Sequence, residues 1–280
     1  MVRLLGLAAL AAGILAAPAH AELHSCTQIG SLPATISAPG AYCLKQHLST
    51  GIAAGAAITI AADDVTLDCN GYKIGGLNTT ADTLAVGVQA VDRAQVVVRG
   101  CNVRGFHTGL ALSGRRLLIE DNLVNGSRST GMRLSTQQSM VRDNRIHDIG
   151  STTAAAAYGL RQDVSGSTVI TGNHISGIVS NGPSVGIWST GALDVIAGNR
   201  IFAMVGGVAG QAIGIHASAR AVDIRGNHLI APYSTNSYAV QLGDHGHEGS
   251  PTVCTGNTAV GFTFSPVYST CVLNVGNTTH

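Results

Sequence analysis

One regularly spaced set of side chains in this sequence is equipped for chemistry. Seven segments open on a small residue followed by an apolar one: Val88, Leu110, Met132, Leu160, Ile187, Ile215 and Val240. The residue after each is more varied, giving the series Gln89, Ala111, Arg133, Arg161, Trp188, His216 and Gln241. Side chains alternate along a strand, so if the apolar series faces a core the varied series faces out. Arginine pairs bidentately with carboxylates, and the single tryptophan offers a flat face to a sugar ring. Arg133 is therefore expected to neutralise a substrate carboxylate, and Arg161 or His216 to take a proton alpha to it. Trp188, Gln241 and Asp163 are expected to contact the same substrate, with residues 150–158 and 205–213 as the rim. The alternative is an outer face whose polar residues need no function.

Two other groups of ionisable residues are candidates. Asp244, His245, His247 and Glu248 form the densest cluster, in a loop after a leading strand, and suit metal or substrate binding. Arg145, His174, Arg200 and His228 each follow an asparagine in successive repeats. A zinc or copper site from His174 and His228 would have to skip the intervening Arg200, which repels a cation. That column is read as a solvated face, and no metal site is assigned.

The elements that position these residues come from an internal repeat. Gly186 to Ile201 reads as two short strands joined by a small-residue turn, closed by Gly198-Asn199 and opening a third strand. The same phrase recurs from Gly131, Gly159 and Gly214, and more loosely from Gly109 and Ala239. The spacing between asparagines varies: 22 residues from Asn122 to Asn144, 29 to Asn173, 26 to Asn199 and 28 to Asn227. From leading Gly to Asn it is nearly constant, 13 residues in four copies and 14 from Gly159. Two strands of fixed length and one loop of free length per repeat predict a right-handed parallel β-helix. A propeller would need four strands and tight hairpins per repeat, and helical solenoids are excluded by the glycine content and the missing 3.6-residue period. Asn122, Asn144, Asn173, Asn199, Asn227 and Asn257 are expected to form an internal ladder. Asparagine can donate and accept along a stack and tolerates the left-handed backbone of a sharp bend.

The ends of the chain read differently. Met1-Val2-Arg3, the apolar run Leu4 to Ala17 and Ala19-His20-Ala21 have the form of a secretory signal peptide over residues 1–21. Residues 22–57 lack the repeat and are expected to cap the first coil's exposed edges, leaving 58–280 as the β-helix in an all-β domain. With charged residues at 11% and a formal net charge of +1, there is no electrostatic footprint for nucleic acid. No later stretch is apolar enough for membrane insertion. Six cysteines fall in the exported part, and position pairs them as Cys26–Cys43, Cys69–Cys101 and Cys254–Cys271 in an oxidising compartment, periplasmic or secreted.

The Gly-led strand, the strand ending in Gly-Asn or Asp-Asn and the long third turn resemble the repeats of the pectate-lyase-like superfamily. So do Ser31 to Ile36, Gly40 to Leu44 and Val65 to Gly71, which are similar to the opening of exported members. The resemblance runs from about Ser31 to the C-terminus. It implies a polysaccharide partner, acidic if the arginines meet carboxylates, and places the cleft on the sheet that carries Arg133, Arg161, Trp188 and His216. The hydrolase motifs of that superfamily are missing apart from His245-Gly246-His247, and no carboxylate pair suits acid–base hydrolysis. Its alginate-epimerase element is absent, and Asp163 is the one acid in its column where calcium-dependent lyases cluster several. The resemblance thus implies either a metal-independent lyase on a uronic-acid polymer or a non-catalytic glycan-binding or structural module. No cofactor is expected, with calcium left open, and the capped ends predict a monomer.

Overall fold

A computed structural model of the protein describes residues 25–77, 83–163, 166–207, 210–231, 236–243, 252–263, 271 and 273–280. The residues read as a signal peptide lie outside these. The described chain is a right-handed parallel β-helix with no α-helix. Each complete coil among the described residues contributes one strand to each of three sheets, and all strands but those at the two ends pair in parallel with the coil before and the coil after. The leading sheet holds the Gly-led strands, such as Ser184–Ser189. The middle sheet holds the strands that run to the asparagine, such as Val195–Ala197, and the trailing sheet those that follow it, such as Arg200–Val205. Residues 22–57, read as a cap, contribute strands to all three sheets in their described part. Ala34–Ile36 joins the leading sheet, Gly40–Cys43 the middle sheet and Leu48–Ser49 the trailing sheet. Thr27–Gln28 adds a further strand to the middle sheet.

The alternation read from the sequence matches the core. Val88, Leu110, Met132, Leu160, Ile187, Ile215 and Val240 are all buried, and Ile146, Ile175, Ile201 and Leu229 fill the trailing sheet's inner face. The leading glycines have a steric cause. A Cβ on Gly131, Gly159 or Gly186 would meet the Cγ2 of Ile146, Ile175 or Ile201 at 2.4–2.5 Å, so the leading strand packs directly against the trailing sheet of its own coil.

The asparagine ladder forms as expected and extends to Asn277. Asn199 Oδ1 accepts from the backbone N–H and the side-chain Nδ2 of Asn173, both at 3.0 Å. Asn199 Nδ2 donates in turn to Ile170 O at 2.9 Å and to Asn227 Oδ1 at 3.0 Å. Cys101 N donates to Asn122 Oδ1 at 3.0 Å, so the Cys69–Cys101 disulfide sits at the end of this ladder. The other two expected disulfides, Cys26–Cys43 and Cys254–Cys271, are also present. One detail differs from the sequence reading. The left-handed residue at these bends is the one before the ladder asparagine: Asp121, Asp143, Gly172, Gly198, Gly226 and Gly256. The asparagine is placed there by its side-chain bonds and not by its backbone tolerance.

Replacing Asn199 by Ala removes four buried hydrogen bonds and leaves the buried Asn173 N–H without its acceptor. The expected loss is about 2–4 kcal/mol of unfolding free energy, measured by denaturant titration. The same substitution at exposed Arg200 should change stability by less than about 1 kcal/mol.

Candidate functional site

The varied series lies on one line of the leading sheet, in register from coil to coil. Gln89 is opposite Ala111, Ala111 opposite Arg133, and Arg133 opposite Arg161. Arg161 is opposite Trp188, Trp188 opposite His216, and His216 opposite Gln241. Parallel pairing sets these about 4.8 Å apart, which makes a ridge parallel to the helix axis.

Its side chains are tied together. Asp163 follows the strand Ala157–Gln162 and bridges both arginines, Arg133 Nε to Oδ2 at 3.0 Å and Arg161 Nε to Oδ1 at 2.7 Å. Each guanidinium is held through Nε. The Arg133 side chain stays 61% exposed, so its terminal nitrogens remain open to an incoming anion. The Trp188 and His216 rings stack with centroids 3.9 Å apart and planes at 17°. His216 Nδ1 meets Gln241 Oε1 at 3.0 Å, and Gln241 Nε2 meets Gln211 Oε1 at 3.4 Å. Although it points outward, His216 is only 9% exposed, because Trp188 and Gln241 flank it.

Sequence reasoning missed Tyr158 and Gln211. Tyr158 stands immediately before the leading glycine of its coil; its ring lies edge-on to Trp188 at 5.9 Å and beneath the Arg161 guanidinium at 5.1 Å. An aromatic at that position was the available signal, since the other copies there are Val86, Thr108, Thr130, Val185 and Ile213 up to Tyr238. Both missed residues belong to the segments expected to rim the ridge. Asp244, His245, His247 and Glu248 lie outside the described residues. Among the described residues no cluster of three His, Cys, Asp or Glu side chains is placed to hold a metal, and no helix is long and apolar enough to cross a membrane.

Directly beneath the ridge the core turns polar. Gln162 and Ser189, the inward neighbours of Arg161 and Trp188, are fully buried with Thr136, Thr168 and Asp194. Ser189 Oγ donates to Asp194 Oδ2 at 2.7 Å, and Thr168 N donates to Asp194 Oδ1 at 2.9 Å. Burial pushes the Asp194 carboxyl up from 3.8 to about 6, partly opposed by these two hydrogen bonds. A second concavity, a cleft of about 510 Å³, opens at the corner of the middle and trailing sheets around Asp68, Arg99, Glu120 and Asp121. Two of its carboxylates are already neutralised, Asp68 by Arg99 at 2.8 Å and Glu120 by Arg142 at 2.6 Å. The ridge is the better candidate, because its cations face out beside an aromatic platform.

This scaffold defines a class, the right-handed parallel β-helix. The chain belongs to the family described as "Right handed beta helix region", whose model matches residues 86–264. No curated protein matches the sequence. Among solved structures the chain is similar to the Dettilon tailspike protein, with 16% identity and a TM-score of 0.57, over 83% of this chain and 54% of that one. It is also similar to DFA-IIIase from Arthrobacter chlorophenolicus A6 in complex with GF2, with 15% identity and a TM-score of 0.51, over 85% of this chain and 63% of that one. At such identities the likeness is one of fold, and the chain spans less than two thirds of either protein.

The raised Asp194 carboxyl has a signed consequence for stability. A folded-state value above the unfolded one favours the fold fully below about pH 4 and withdraws that contribution as pH rises through about 6. Asp194→Asn keeps both hydrogen bonds with Ser189 Oγ turned to accept. It should gain up to about 3 kcal/mol over the wild type at pH 8 and converge with it below pH 4, read from melting temperatures across that range.

Proposed function

We propose that the ridge of the leading sheet binds a strand of an acidic polysaccharide, the protein acting as an exported glycan-binding module. The carrying observation is the junction of two arginines on one carboxylate with a stacked Trp188–His216 pair along a single line. Arg133 and Arg161 supply oriented N–H donors for uronate carboxylates. Asp163 holds them in place, which lowers the entropy lost on binding. Trp188 presents an aromatic surface whose orientation is set by Tyr158 and His216. The three disulfides support an oxidising, extracytoplasmic setting.

The lyase reading is the second one. β-Elimination needs the proton-abstracting group and the carboxylate-neutralising group on the same sugar. Arg133 and His216 stand three coils apart, on the order of 14 Å along the sheet, with Trp188 between them, so they suit different sugars of one strand. Only Arg133 and Arg161, neighbours across one rung, meet the requirement together. Arg161 is then asked to act as base while its Nε–H is committed to Asp163 at 2.7 Å. This balance favours binding over cleavage.

Replacing Arg133, Arg161 and Trp188 singly by Ala should weaken binding to acidic oligouronides. The expected loss is roughly tenfold or more for Trp188, with smaller losses for each arginine. Calorimetry measures the binding, and an unchanged melting temperature in the Arg133 variant confirms an intact fold. A polyuronate panel followed by the ultraviolet absorbance of unsaturated ends tests cleavage. Unchanged affinity in all three variants defeats the ridge, and rising absorbance restores the lyase.

A further inference from the structure

The trailing sheet carries a second line of charge that the ridge does not use. Arg145, His174, Arg200 and His228 are in register on four successive strands, so about 4.8 Å separates each from the next. They point away from the core, since Ile146, Ile175, Ile201 and Leu229 are the buried partners of the alternation. All four are basic. The middle sheet shows what the same geometry does when charges are balanced: Asp68, Arg99, Glu120 and Arg142 alternate in sign on consecutive strands and form ion pairs across the rungs. Arg145 and Arg200 carry permanent charge two rungs apart, and a proton on His174 between them sets like charges directly opposite one another, which is destabilising; the alternating middle sheet avoids that cost.

Among the described residues no carboxylate neutralises this column. Among the described residues neither Arg145 nor Arg200 forms an ion pair with a carboxylate, while Arg93, Arg99, Arg133, Arg142, Arg161 and Arg225 all do. The one acid within the trailing-sheet strands is Asp148, and it is bonded to His147 Nδ1 at 2.8 Å. The bend residue preceding the ladder asparagine is acidic in two early coils, Asp121 and Asp143, and becomes glycine at 172, 198 and 226, where the column continues. Burial, Arg200, Arg145 and His147 all lower the His174 value from its ordinary 6.5, with no carboxylate acting the other way. The column is also braced: Phe202 packs edge-on to His174 at 4.9 Å, and Arg200 lies 5.6 Å above the same ring.

We infer that the outward line Arg145–His174–Arg200–His228 is a second binding face, for an acidic polysaccharide strand lying along the helix axis on the trailing sheet. A line one residue wide and four coils long matches an extended polyanion better than a planar membrane surface. Arg145 and Arg200 pair with carboxylate or sulfate groups. His174, flanked by Arg145, Arg200 and His147, takes up a proton as the anion arrives, because an opposite charge favours its cationic form. Binding at this face therefore tightens as pH falls through the histidine range.

The test uses the full chain with the ridge disabled by Arg133→Ala and Trp188→Ala, so that the trailing sheet is read alone. The probe is polygalacturonate, with neutral dextran and anionic phosphatidylserine vesicles as controls. In this background polygalacturonate should still bind, more tightly at pH 5.5 than at pH 8. Adding Arg145→Ala and Arg200→Ala should weaken that binding roughly tenfold, and His174→Gln should flatten the pH dependence. The comparison is Arg115→Ala with Arg116→Ala, two exposed arginines elsewhere on the surface. Equal loss from that pair would reduce the effect to net charge and overturn the inference. So would the absence of polygalacturonate binding in the ridge-disabled protein, or binding to vesicles without binding to polygalacturonate. Failure of the ridge alone would instead leave the wild-type affinity unaltered by Arg133→Ala and Trp188→Ala and sensitive to Arg145→Ala and Arg200→Ala.

Discussion

Every strand among the described residues is paired in parallel with a strand of a neighbouring coil, and none with a hairpin neighbour. That requirement holds all three sheets in common register, since a slip of one residue would turn a whole inner row outward. The asparagine ladder is where the register is pinned. At the corner between the middle and trailing sheets the ladder continues the pairing through buried amides, each amide giving and taking along the stack. Buried polar groups of this kind specify a structure only when every member is satisfied, and from Cys101 to Asn277 the chain of bonds is unbroken.

Stacking in register has a chemical consequence beyond stability. It turns a sequence repeat into columns, so the side chains on one outer position meet their counterparts at strand spacing for the length of the helix. The protein uses three versions of this. On the middle sheet the column alternates in sign and neutralises itself. On the leading sheet two cations share one carboxylate, and the column passes into stacked rings. On the trailing sheet four basic groups stand in line with no acid between them. One scaffold thus presents a neutral face and two faces suited to anions, and only the outward residues differ.

The interior beneath the ridge departs from the apolar pattern of the rest. Gln162 and Ser189 stand where the earlier coils have Ala90, Leu112 and Leu134, and Thr168 and Asp194 where they have Val96 and Leu117. The leading strands also shorten there, from eight residues at Thr130–Gln137 to six at Ala157–Gln162 and Ser184–Ser189. Asp163, the residue that follows the shortened strand Ala157–Gln162, stands between the arginines. A buried carboxyl carries a desolvation cost, and its location under the best candidate site fits the general tendency for local compromise to gather where function is built.

Much of this was legible from residues alone. The fixed Gly-to-Asn spacing, the alternation of apolar and varied positions and the placement of the cysteines determined the coil, the core rows, the ladder and the three disulfides. Each of these depends on period and adjacency, which a repeat displays openly. The order of Arg133, Arg161, Trp188 and His216 along one ridge followed for the same reason. What needed the tertiary structure were contacts that break the period. Asp163 lies past its strand end, and only the turn shows it bridging both arginines. Gln211 comes from a segment of free length, whose path no periodicity fixes, and Tyr158 holds a repeated position whose contacts with Trp188 and Arg161 the repeat alone does not show. His216 was read as an exposed group, and only the packing of Trp188 and Gln241 around it covers the ring. The left-handed residue of the bend was one position earlier than the sequence suggested, because the asparagine side chain, and not its backbone, answers to the coil above. Charge balance was decided the same way: a column of basic residues is visible in the sequence, but whether a carboxylate reaches it from another strand is settled only when the strands are set side by side.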